Sequence, residues 1–209
     1  MVDSAIGRLL SRRLDAKESG EDAGFTLIEL MVVLLILAIL LAIAIPTFLG
    51  VTKSANDRAA QSNLNTAIVN AKSVFQQNSQ SYSLTTNATY TTPAAVMAAT
   101  LVAAEPNLSF VTGAVSATAS GQAQVSVAIA SDGNGIILAA QAKGTGNCWY
   151  VIDNSATETA TGPYANLTGA TLTPGTAYGE AKAATSCTAS LPPATSATVS
   201  YSAAGFPNL

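Results

Sequence analysis

Residues 25–49 hold a single ionisable side chain, Glu29, and residues 30–45 are unbroken hydrocarbon. At about 1.5 Å per residue, a helix over residues 25–49 is about 37 Å long and covers the roughly 30 Å apolar core of a bilayer. Such a run has no compact soluble solution unless a large core surrounds it. A membrane-spanning helix is therefore expected. Arg8, Arg12, Arg13 and Lys17 precede it, whereas only Lys53 and Arg58 follow closely. This asymmetry orients the N-terminal part to the cytoplasm and the bulk of the chain to the outside. No small-residue cleavage site follows the apolar run, where Ile45-Pro46-Thr47-Phe48 stands instead, so an ordinary secretory signal does not fit.

Beyond Gly50 the pattern becomes one-sided. Leu64, Ile68, Ala71 and Phe75 recur at spacings of four, three and four, while Asn63, Asn70, Lys72 and Gln76 take other faces. That periodicity marks a helix with one buried face. No proline falls between Thr47 and Ser79, so one helix is expected over residues 25–77. Pro46 should bend it, because proline removes a backbone donor and crowds the preceding turn. Residues 79–92, rich in Ser and Thr, read as a surface loop. A short helix follows from Pro93 to before Pro106.

Alternation then takes over. In residues 122–130, Ala123, Val125, Val127 and Ile129 share one face, and Gln122, Gln124 and Ser126 the other. With residues 136–143 and 148–153 this makes a three-stranded antiparallel meander. Its apolar face needs a cover, which the stripe of the long helix supplies. From Asn154 onward a looped region is expected, with a further strand possible at residues 197–202. The fold class is α+β. Cys148 and Cys187 both lie in the expected exported part, where oxidation is permitted, so a disulfide is favoured over two buried thiols. It would close a loop of about 39 residues, worth about 4 kcal/mol on the chain-entropy model.

The absence of histidine removes most general-base, triad and metal schemes. The net charge is −3 and the basic residues beyond the apolar run are scattered, so no nucleic-acid stripe is expected. No enzyme, cofactor or metal is expected. The SDGNG stretch at residues 131–135 fails as a calcium loop, since the first and twelfth ligand positions would fall on Ala130 and Gln141; it reads as a hairpin turn. Asp153 and Glu158 are a weaker pair for calcium. Trp149 and Tyr150 are expected to fill the core beside Cys148.

The GFTLIEL stretch, with Gly24 before Phe25, the acid Glu29 and an apolar helix containing Pro46, resembles the processing and assembly signal of type IV pilins and the related pseudopilins. The resemblance covers residues 24–50. It implies a pilin-like fold, with one long N-terminal helix packed on a small antiparallel sheet and a disulfide-stapled C-terminal loop. Residues 1–24 would be a cytoplasmic leader removed by a prepilin peptidase after Gly24. Phe25 would become the methylated N-terminus. Residues 25–50 would be the membrane and assembly helix, and residues 51–209 the exported domain. The implied partners are further copies of the chain in a helical homopolymer, the peptidase and methylase, an inner-membrane assembly platform with its ATPase, and membrane lipid before assembly. A surface filament for adhesion, motility or DNA uptake is the implied function, with a type II secretion pseudopilin as the alternative. The leader departs from the short basic one of many members, carrying Asp15, Glu18, Glu21 and Asp22 near the cut.

A carboxylate on a lipid-facing helix costs about 2.5–3.5 kcal/mol at mid-membrane, and less near the helix end. It calls for a counter-charge, which the freed amine of a neighbouring Phe25 would supply. Glu29 would then select incoming subunits and set their register.

Overall fold

A computed structural model describes residues 24–115 and 124–207. The expected leader, apart from Gly24, and the start of the first meander strand at Gln122 and Ala123 lie outside the described residues. The chain divides into two units, one ending at Phe48 and the other Leu49–Leu209.

The long helix, α1, runs Leu27–Gln77 without interruption at Pro46. In the first unit its apolar side chains have no cover, and residues such as Leu34, Ile43 and Phe48 stay 62%, 67% and 69% exposed. The most apolar stretch of α1 is long and hydrophobic enough to cross a membrane, with none of it buried in the protein.

In the second unit α1 buries Ala60, Gln61, Leu64, Ala67, Ile68 and Ala71. The i, i+3, i+4 spacing expected of an amphipathic helix is present, displaced by a turn toward the N-terminus, so that Phe75 is only partly buried. A second helix, α2 (Pro93–Ala104), starts with Thr92 as N-cap, whose side chain accepts the Ala95 amide, and Pro93 in the first turn. It buries Met97, Ala98 and Leu101.

Six strands form one sheet in sequence order: β1 (Ser109–Val111), β2 (Gln124–Ile129), β3 (Gly135–Gln141), β4 (Cys148–Asn154), β5 (Gly175–Ala181) and β6 (Val199–Ser202). All neighbours are antiparallel except β1 and β2. The expected meander is β2–β3–β4. Three features differ from expectation, the first being the short parallel strand β1. The region after Asn154 contains β5, and the sheet is covered on both faces.

One core lies between the sheet and the helices, built from Leu64, Ile68, Met97, Leu101, Val125, Val127, Ile136, Leu138 and Trp149 among others. The other lies under the C-terminal region and contains Ile137, Tyr150, Ile152, Tyr164, Leu167 and the Cys148–Cys187 disulfide. Trp149 and Tyr150 thus fill opposite cores. Double coverage explains why residues 136–140 are apolar throughout rather than alternating. It also corrects the reading of Ser126, which is buried: its hydroxyl donates to Gly113 O at 2.7 Å and accepts the Ala189 amide at 3.0 Å.

β5 escaped the sequence reading because GTAYGEA has few β-branched residues. Its Gly179 serves a close approach: a Cβ there would collide with the ring of Tyr201 on β6. The disulfide holds the C-terminal loop to β4 with Cα atoms 5.4 Å apart.

Candidate functional site

The head of α1 is a short polar device on an apolar rod. Gly24, Phe25 and Thr26 precede the helix, which begins at Leu27. Thr26 is the N-cap. Its Oγ1 accepts the Glu29 amide at 3.2 Å. In return Glu29 Oε2 accepts the Thr26 amide at 3.2 Å and the Thr26 hydroxyl at 3.0 Å. This is a reciprocal capping box, in which side chain and backbone at the first and fourth positions satisfy each other's orphan donors. The carboxylate also sits at the positive end of the helix dipole.

Sequence reasoning weighed Glu29 as a stranded charge and overlooked Thr26. The signal was present, since Thr-x-x-Glu ahead of an apolar run is the capping-box pattern. The local bonds all fall on Oε2, leaving Oε1 without a partner among the described residues.

The remaining N-terminal residues are open. Phe25 is 84% exposed. A Cβ at Gly24 would meet no heavy atom within 4 Å, so nothing among the described residues demands glycine at that position. Pro46 lies within the helix, where its missing N–H deprives the carbonyl of Ala42 of its donor. One turn back, the carbonyl of Ile43 accepts the Thr47 hydroxyl at 2.9 Å. Cys148 and Cys187, by contrast, belong to the second unit and serve its core.

Two polar clusters in the second unit were not anticipated. Asp57 Oδ1 accepts the Trp149 indole N–H at 3.0 Å and the Thr145 hydroxyl at 2.9 Å, and the Asn56 amide donates to Lys143 O at 2.9 Å. These bonds tie α1 to the β3–β4 turn. Asp153 pairs with Lys72 at 2.8 Å, accepts the Tyr82 hydroxyl at 2.6 Å and also accepts the Thr176 hydroxyl. Burial first, then the hydrogen bond to Asp153, pushes the Tyr82 hydroxyl far above the ordinary phenol range. Asp153 is thereby committed to Lys72 and Tyr82 on the α1 side of the sheet. No bond between Asp153 and Glu158, the weaker pair considered for calcium, is among its contacts.

The chain thus combines an exposed apolar helix, headed by a capped carboxylate, with an α+β domain closed by a disulfide. Residues 21–45 match the prokaryotic N-terminal methylation motif. Over 59 residues the chain is 46% identical to the type IV wide pilus major component PilA4 of Thermus thermophilus, a match covering 28% of this chain and 44% of the relative. The chain therefore spans less than half the length of that relative. No solved structure matches it. In its N-terminal motif the chain is thus similar to type IV pilins.

Proposed function

We propose that the chain is a structural subunit of a type IV pilus-like surface filament, processed after Gly24 and assembled through its apolar helix. The observation that carries this reading is the state of Glu29. Thr26 occupies one carboxylate oxygen, and the other has no partner among the described residues, at the head of an apolar stretch none of which is buried. Cleavage after Gly24 leaves the capping box intact, because both of its residues lie beyond the cut. It adds an amine at Phe25. The amine of a neighbouring copy, placed against Glu29 Oε1, neutralises the charge without breaking the local cap. The exposed apolar side chains of residues 27–51 then pack on those of other copies in the filament core.

The openness of Gly24 supports recognition from outside, since glycine there suits only a protein that approaches the backbone closely. The residues preceding the cut would stay on the cytoplasmic side until removed, and Leu49–Leu209 would be the exported domain. Lipid, the peptidase and methylase, and an inner-membrane platform with its ATPase are the partners this route requires. Pro46 is the place where the helix can locally open under tension. The relative is named as a pilus major component, which favours a pilus over a secretion pseudopilus.

Replacing Glu29 by Ala tests the pairing. Filaments counted by electron microscopy should fall by at least tenfold while the membrane pool of the subunit stays unchanged. Normal filament numbers would refute the role of Glu29. Mass spectrometry of the filament should find a methylated N-terminal Phe25. A purified filament in which this chain is not the main band would turn the reading toward a pseudopilin.

A further inference from the structure

The basic residues beyond the apolar run are dispersed along the chain, at Lys53, Arg58, Lys72, Lys143 and Lys182. The fold gathers four of these five at one end of the second unit. Lys53 and Arg58 lie on α1. Between them, Asn56 donates its side-chain amide to Lys143 O at 2.9 Å, which brings the β3–β4 turn to that level of the helix. A Cβ on Gly144 would lie 3.7 Å from Lys53 Cγ. Lys182 follows β5 at the end where Ala181 pairs with Cys148. Its segment is tied to the same turn: the Ala183 amide donates to Asn147 Oδ1 at 3.1 Å and the Ala184 amide to Gly146 O at 3.0 Å. All four basic residues are exposed, and none forms an ion pair among the described residues.

The acids at this end are turned inward. Asp57 accepts the Trp149 and Thr145 donors, and Glu180 is 3% exposed and accepts the Asn147 side-chain amide at 3.2 Å. Asp132, on the β2–β3 turn, Asp153, near the end of β4, and Glu158, against Gly135, lie at the opposite end of the sheet. The fifth basic residue, Lys72, is there too, paired with Asp153. Charge is thus segregated along the sheet, with the uncommitted cations at the end where α1 leaves its apolar run. Leu49 closes that run. At about 1.5 Å per residue, Lys53 follows it by about 6 Å and Arg58 by about 14 Å. Lipid headgroups extend roughly 5–7 Å beyond the hydrocarbon core on each side.

We propose that Lys53, Arg58, Lys143 and Lys182 form a basic collar that docks the second unit on the phosphate-bearing headgroups of anionic lipid, in the leaflet from which α1 emerges. The proposal rests on reading residues 25–49 as a membrane-inserted helix. Two of the four charges sit on α1 itself, just past the apolar run, so the surface they meet is the one the run is inserted in. Each basic side chain held within a Debye length of an anionic surface strengthens association roughly fivefold. The same surface repels the acids at the far end, so the field also orients the sheet with its β3–β4 turn toward the lipid. The bonds from Asn56 and Asp57 matter here. They fix the turn that carries Lys143 against α1, and a fixed turn loses less conformational freedom on docking than a free loop would.

The test uses the full chain in nanodiscs of phosphatidylcholine, alone or mixed with phosphatidylglycerol. At low salt, phosphatidylglycerol should slow the labelling of Lys143 and Lys182 by an amine-reactive reagent about threefold or more, while Lys72 keeps its rate. Raising NaCl to about 1 M, where the Debye length is about 3 Å, should abolish the difference. Amide exchange over residues 142–147 should slow with phosphatidylglycerol by a similar factor. The double variant Lys143→Gln, Lys182→Gln, with both changes at exposed positions, should lose that slowing and keep its urea midpoint. Equal labelling of Lys143 and Lys182 in the two lipids, with the chain still in the discs on gel filtration, would overturn the docking alone. Equal slowing of Lys72 would overturn it as well, since that reports only the general surface potential. Protection reproduced in phosphatidylcholine discs by dissolved inorganic phosphate or a DNA duplex would replace lipid with a soluble anion and refute the proposal. A chain that leaves the discs would remove the membrane reading and the docking together.

Discussion

At the scale of single residues, the carboxylates of Glu29 and Asp153 are each given defined neighbours, whereas Glu158 keeps a buried oxygen without a hydrogen-bond donor among the described residues. Glu29 has Thr26. Removing that neighbour with Thr26→Ala should cost the head of α1 about 1 kcal/mol. Amide exchange at residues 27–30 in micelles should then quicken by about fivefold, and Thr26→Ser should restore the slow rate. Glu158 illustrates the opposite case. Burial, then the Asp132 carboxylate and the hydrogen bond to it, raise its pKa above the usual 4.5. A raised carboxyl pKa means that the folded state holds the proton more tightly than the unfolded chain. Its contribution is complete below the unfolded value and is lost as pH rises through the folded one. The wild type should therefore lose stability above about pH 4.5 relative to Glu158→Gln, whose profile should be flatter there. Equal profiles from chemical denaturation across that range would show that Glu158 is not strained.

At the scale of elements, α1 changes solvent along its length. The same helix that exposes Leu34 and Ile43 buries Leu64 and Ile68 completely or nearly so. The first stretch is apolar on every side and the second on one side only, which is why only the second has a protein core to pack on. Within the packed stretch, Leu64→Ala should cost 2–5 kcal/mol by loss of burial and cavity formation. Val69, on the opposite side and 67% exposed, should tolerate Ala within about 0.5 kcal/mol. Urea unfolding of the full chain in micelles distinguishes the two. The strands show how far pattern carries. β2, β3 and β4 were legible because apolar runs of strand length are separated by the SDGNG and KGTGN turns. β1 has three residues and β5 is glycine- and alanine-rich, so neither leaves a periodic signal. Each is a strand because a neighbour offers it unpaired backbone groups.

At the scale of the whole molecule, the second core depends on a covalent tie. Cys148 is on β4 and Cys187 lies in the loop before β6, where Val115 donates its amide to Cys187 O at 2.7 Å. The C-terminal region is poor in large apolar residues, so the tie supplies much of what holds it to the sheet. Replacing both cysteines by Ser should lower unfolding free energy by 2–5 kcal/mol. Thiol reductant should lower the wild-type Tm and leave that double variant unchanged.

The N-terminal half of the candidate function was readable residue by residue. The apolar run, its lone acid, the preceding glycine and the Thr-x-x-Glu cap are all local, and interactions within one helical turn are written in consecutive residues. The antiparallel meander was readable for the same reason, since period-two alternation and turn chemistry are short-range. Coverage of the second sheet face, the existence of β5, the Lys72–Asp153–Tyr82 cluster and the meeting of Asp132 with Glu158 were not. Each joins residues from separate strands or loops, and their adjacency comes from strand register and close packing. Those are settled only when the whole sheet has formed.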